Sequence, residues 1–99
     1  MNKLITLLFF SVFCVSLNAQ APNFSEDISS IIYNKCTKCH RFGEIGPMSF
    51  TSYSEVANWA PTIKYVTGIR YMPPWKSDPE YKHFIGENVL TAAEIQKIS

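Results

Sequence analysis

Cys36-Thr37-Lys38-Cys39-His40 is the run in this chain whose residue types and spacing point most directly to covalent chemistry. Two thiols three positions apart reach the vinyl groups on adjacent pyrrole rings of a haem and form thioethers, the pattern of c-type attachment. The imidazole beside the second cysteine then falls beneath the iron as an axial ligand. Two other chemistries use the same side chains. A thioredoxin-like redox pair needs a strand–helix–strand setting, and no strand-like alternation is visible here. A structural zinc site needs a fourth ligand besides Cys36, Cys39 and His40, and His83 is the only other histidine. The spacing favours haem.

The sixth coordination position decides what such a haem does. A methionine there completes the coordination sphere, raises the potential and favours electron transfer over substrate binding. Beyond Met1, the candidates are Met48 and Met72. Met48 lies only eight residues past His40, too near to cross to the opposite haem face. Met72 follows 32 residues after His40 in Met72-Pro73-Pro74, where the prolines stiffen the segment that presents the thioether. Met72 is the expected ligand, with His83 or an open site as the alternatives and Met48 as core filler.

Residues around this constellation have supporting roles to fill. An axial histidine usually donates its second N–H to a carbonyl, and a turn at Gly46-Pro47 folding back on His40 makes the Pro47 carbonyl the expected acceptor. Trp59, Arg70, Tyr71 and Trp75 are candidates for hydrogen bonds to haem propionates, or for plain packing. Lys35, Lys38 and Arg41 cluster about the cysteines, as a solvated surface or as a steering patch for an acidic partner.

The elements that must position these residues belong to one small domain of a 99-residue chain. Its opening reads as a signal peptide: a basic Met1-Asn2-Lys3, an apolar run from Leu4 to Leu17, and a small-residue cleavage context ending at Ala19. The apolar run is shorter than the roughly 20 residues a membrane helix needs, so no stable span is expected after cleavage. Cleavage after Ala19 or Ala21 leaves a mature domain beginning near residue 20. Cys14 lacks the small residues before it that a lipoprotein anchor requires. Without Lys3 the mature chain carries eight basic and eight acidic residues, which argues against a nucleic-acid partner. Only Cys36 and Cys39 remain after cleavage, too close together for a useful disulfide staple. A domain this small usually relies on such a staple, a metal or a cofactor, and haem fits the need.

The pattern is all-α. Phe24, Ile28, Ile31 and Ile32 recur at helical spacing, behind Ser25 as a cap and with Glu26 and Asp27 in the first turn. That helix is expected to run to about Asn34 and deliver Cys36. A glycine–proline loop follows over 42–47, then a helical patch from Ser52 to Ala60 with Val56 and Trp59 on one side. Pro61 suits the start of another helix, carrying Ile63, Val66 and Ile69 inward and weakened near its end by Gly68. Tyr71 to Trp75 cannot be helical. Thr91-Ala92-Ala93-Glu94 is a capping box for a last helix of about two turns, so the domain is expected to be truncated at its C-terminal side.

Taken together, these residues resemble the small class I cytochrome c domains of exported bacterial proteins. The resemblance runs from the Phe24 helix through Cys36-Thr37-Lys38-Cys39-His40, Gly46-Pro47 and Met72-Pro73-Pro74 to Leu90-Thr91-Ala92-Ala93-Glu94-Ile95. It implies an all-α fold with the first and last helices crossing beside one covalently bound haem c. It also implies cofactor binding by Cys36, Cys39, His40, Pro47 and Met72, with His40 and Met72 on the iron. The function implied is single-electron transfer in the periplasm or outside the cell, to redox partner proteins or a fused redox domain, by a carrier and not an enzyme. Ile45-Gly46-Pro47 and Arg70-Tyr71-Met72-Pro73-Pro74-Trp75 further resemble cytochrome domains that precede copper, ascorbate-dependent monooxygenase modules. An electron-input domain of a larger exported oxidoreductase is therefore the first alternative. A haem enzyme or sensor with an open distal site is the second.

Overall fold

A computed structural model describes residues 20–75 and 77–99, so the signal-peptide reading of residues 1–19 lies outside the described residues. Among the described residues the secondary structure is helical, with no strand. The first element is a π-helical turn, Phe24–Ile28, that runs directly into helix α1, Ser29–Lys35. The wide turn is defined by Ile28 and Ser29 donating five residues back, to the Asn23 and Phe24 carbonyls. Its cap is Asn23 and not Ser25. The Asn23 side chain accepts from Glu26 N–H at 2.9 Å, while the Asn23 N–H donates to the Asp27 carboxylate at 3.0 Å. Asn23 satisfies a free N–H and the two acids complement the helix dipole, so the cap sits two residues earlier than the sequence pattern indicated.

Helix α2, Tyr53–Asn58, starts at a capping box in which Ser52 and Glu55 bond reciprocally. Helix α3, Ala60–Gly68, follows at once, with Pro61 in its first turn. It closes in a Schellman arrangement: Tyr71 N–H donates to the Val66 carbonyl at 2.9 Å and Arg70 N–H to the Thr67 carbonyl at 3.1 Å. Arg70 takes the left-handed backbone this requires, with φ 57°. The next helix among the described residues is α4, Ala92–Ile98, which Thr91 and Glu94 cap as the sequence indicated.

Ile32, Phe50, Val56 and Ile63 form the buried core, with Phe24, Ile28, Cys36, Met48 and Ile98 packed around it. Helix α4 packs on α3 and on the Phe24–Ile28 turn, where Lys97 Nζ lies 3.4 Å from the Asp27 carboxylate. Ile69 departs from expectation: it is 56% exposed, and Thr67 is buried in its place. Ile69 is the C-cap residue, where the backbone already leaves helical geometry, so the 3.6-residue period no longer sets its direction. No helix among the described residues is long and apolar enough to cross a membrane.

Candidate functional site

Beside the core lies an apolar cavity of ≈ 360 Å³. Cys36, Cys39, His40, Pro47 and Met72, the five residues that the resemblance implies for cofactor binding, line it. The volume falls in the range of about 300–1,000 Å³ usual for cofactor and small-molecule sites. One wall is the end of α1 and the turn after it; the other is α3 and the Met72-Pro73-Pro74 segment.

The first wall is built by short-range hydrogen bonds. Cys36 N–H closes α1 on the Ile32 carbonyl at 2.8 Å, and Cys39 and His40 N–H turn back onto the Cys36 carbonyl. The loop after His40 then folds over it: Gly46 N–H donates to the Cys39 carbonyl at 2.7 Å and Phe50 N–H to the His40 carbonyl at 2.9 Å. A Cβ on Gly46 would sit 2.5 Å from the Cys39 carbonyl oxygen and 2.6 Å from His40 Nδ1. Only glycine permits this approach.

The His40 ring is fixed on two sides. It stacks on Phe50 with centroids 4.7 Å apart. Its Nδ1 lies 3.1 Å from the Met48 carbonyl, so the acceptor is Met48 and not Pro47. The loop returns one residue later than expected, and Pro47 instead contributes its ring to the cavity lining. A carbonyl can only accept, so Nδ1 carries the proton and Nε2 is left as the free lone pair. Met48 therefore stands on the His40 side, where it also packs against the core.

Cys36 and Cys39 are free thiols. Burial pushes the Cys36 thiol up to about 11, which keeps it neutral near pH 7. Thiol redox exchange and metal ligation both run through the thiolate. Among the described residues no group of three or more His, Cys, Asp and Glu is gathered for a metal ion. His83 is turned away, with its side chain 81% exposed and Nδ1 bonded to Glu87 at 2.9 Å.

The second wall offers Met72, whose N–H bonds the Val66 carbonyl at 3.1 Å. Of the four candidates for polar contact with a cofactor, Trp59 lines the main cavity, while Arg70 and Trp75 line a smaller pocket of ≈ 80 Å³ that shares Met72 and Pro73 with it. Tyr71 is 66% exposed and lines neither. Trp75 Nε1 and Asn88 Oδ1 are buried without a hydrogen-bond partner among the described residues. Of the basic residues, Arg41 is paired with Glu44 at 3.1 Å and Lys35 lines the cavity.

Sequence reasoning passed over Asn88, which lines the cavity and donates from Nδ2 to the Lys35 carbonyl at 2.9 Å. It also passed over the Ser52 box, although Ser52-Tyr53-Ser54-Glu55 carries the capping signature openly. No protein-family model, curated protein or solved structure matches the chain.

Proposed function

We propose that this chain is an exported class I cytochrome c domain that passes single electrons through one covalently attached haem, with His40 and Met72 as axial ligands. The observation that carries the reading is the meeting of Cys36, Cys39, His40 and Met72 around one apolar cavity, with the imidazole and the thioether on its two walls. Three features support the fit. The cavity has cofactor dimensions and interrupts a core of only a few buried side chains. His40 is held in the tautomer that leaves Nε2 free. Trp75 Nε1, in the smaller pocket that adjoins the cavity at Met72 and Pro73, is a buried donor with no partner among the described residues, suited to a carboxylate such as a propionate.

Bound haem supplies an iron that alternates between the ferrous and ferric states. The protein does the rest. Cys36 and Cys39 would hold the group through thioethers, their S–H adding across its two vinyl groups with no net gain or loss of electrons. His40 and Met72 offer the same two ligands in both oxidation states, which keeps reorganisation small. The apolar lining lowers the local dielectric and excludes water. Attachment of this kind takes place outside the cytoplasm, in keeping with a cleaved signal over residues 1–19 and with redox proteins, or a fused redox domain, as partners.

The test is covalent attachment. Exported in a host equipped for c-type maturation, the chain is expected to keep haem through denaturing electrophoresis, and Cys36→Ala with Cys39→Ala to lose it. Haem that stays on the double variant, or never attaches to the wild-type chain, refutes the proposal.

A further inference from the structure

Beyond Met72 no described residue of 73–91 is helical, yet this stretch contributes Leu90, one of the most buried side chains at 3% exposure. Two side-chain hydrogen bonds fasten it. Asn88 Nδ2 donates to the Lys35 carbonyl across 53 positions, and Arg70 Nη1 donates to the Leu90 carbonyl at 3.3 Å across 20. Among the described residues, the one other side-chain hydrogen bond of such reach is Lys97 to Asp27, at the exposed meeting of α4 with the first turn. Lys35 immediately precedes Cys36, and Arg70 stands two residues before Met72. Residues 88–90 are thus a strap tied at one end to the His40 wall and at the other to the Met72 wall.

Arg70 adds a second, independent observation. It occupies the left-handed position of the α3 terminus with φ 57°, where glycine is the residue without strain. A non-glycine residue held there needs a compensating contact, and strain of this kind collects where geometry matters to function. The contact is the guanidinium on Leu90. Asn88 is equally committed: its Nδ2 is on Lys35, while its Oδ1 is buried with no partner among the described residues, in a residue that lines the cavity.

We propose that Asn88 and Arg70 are positioning residues for the sixth ligand, holding the two cavity walls at the separation that keeps the Met72 thioether on the iron. This inference rests on the haem reading above. Neither residue touches iron; both act through the strap.

The experiment follows thioether ligation in the ferric holoprotein by its near-infrared charge-transfer band as pH is raised. Arg70→Gly and Asn88→Ala are each expected to weaken ligation roughly five- to tenfold, the factor a lost hydrogen bond gives, so the band disappears at lower pH. Arg70→Lys, which keeps a donor, is expected to fall between Arg70→Gly and wild type. Urea unfolding separates positioning from mere stability. Glycine relieves the positive φ, so Arg70→Gly is expected to keep or raise the unfolding midpoint while it loosens the ligand. If Asn88→Ala fails to accumulate, Arg70→Gly carries the test alone. A wild-type band with variants that lose it at the same pH overturns the strap and leaves the haem reading standing. A wild-type holoprotein without the band overturns the Met72 assignment, and the strap with it.

Discussion

The two walls of the cavity are made in different ways. On the His40 side, the contacts that orient the imidazole lie within ten residues of it: the turn onto the Cys36 carbonyl, the Gly46 and Phe50 bonds, the Met48 carbonyl and the Phe50 ring. On the Met72 side, the local contribution is a helix end and two prolines, and the rest comes from residues 88–90, far along the chain. A wall of short-range contacts forms with little loop-closure cost. A wall held through a long excursion opens more easily and tolerates more change. The His40 wall therefore reads as the fixed side of the site and the Met72 wall as the adjustable one.

The sharpest break of that comparison removes one proposed ligand from each wall. His40→Ala is expected to abolish holoprotein or to leave an unstable, high-spin product, because the imidazole is the proposed ligand beside both thiols and also holds the returning loop through the Met48 carbonyl and the Phe50 ring. Met72→Ala is expected to retain covalent haem, to lose the thioether band and to bind carbon monoxide readily when reduced. Yields and reduced-state spectra of the two variants measure the contrast. Similar yields from both would remove the distinction between the walls, and carbon monoxide binding equally well to the wild-type protein would remove Met72 from the iron.

A smaller effect is expected from Gly46→Ala. Its Cβ would meet the Cys39 carbonyl oxygen and the His40 ring, both fixed, so the loop must lift away. Overpacking of this kind costs about 1–3 kcal/mol, read as a lower denaturation midpoint in the holoprotein. Gly43, with φ 84° but nothing near its Cβ, provides the control: Gly43→Ala meets backbone strain without the clash.

How much of this was legible in advance follows the same divide. The apolar stripe of α1, the Pro61 start, the Thr91 box and the non-helical Met72-Pro73-Pro74 segment are local signals, and local signals survive without tertiary context. All five cofactor candidates fell on one cavity because the α1 stripe and the α3 face share a core around Ile32 and Ile63. What escaped depends on where the chain returns. The His40 acceptor slipped from Pro47 to Met48 because a loop's register is not written in its glycines and prolines. Ile69 pointed outward because the helical period stops at the cap. The Asn88–Lys35 bond spans 53 positions, and a single side chain reaching a distant carbonyl leaves no periodic trace.

The smallest expected effect concerns acid, and it also separates the walls. Glu55 closes the α2 capping box that follows Phe50, where hydrogen bonds from Thr51 and Ser52 hold its carboxyl below the usual carboxylate range. Glu87 stands in the segment leading to the strap and is lowered chiefly by its hydrogen bond from His83, with the Phe84 N–H adding to it. A carboxyl whose folded value is depressed contributes stability that is fully present above its unfolded value of about 4.3. That contribution is lost as pH falls through the lower, folded value. Both glutamates are half-buried at the surface, within reach of solvent, so each contribution is modest and screened by salt. Glu55→Gln and Glu87→Gln should each flatten the acid limb of holoprotein stability below about pH 4.3 and leave neutral spectra of the His40 side unchanged. The two should part in the thioether band. Glu87→Gln loosens the turn at 84–87 that feeds the strap, so the band should weaken in acid sooner than in wild type. Glu55→Gln touches only the α2 cap, next to Phe50 of the fixed wall, and should leave the band's acid midpoint where it was. Equal shifts of the band in both variants would mean that the walls respond to acid as one unit and that the adjustable side is not separately held.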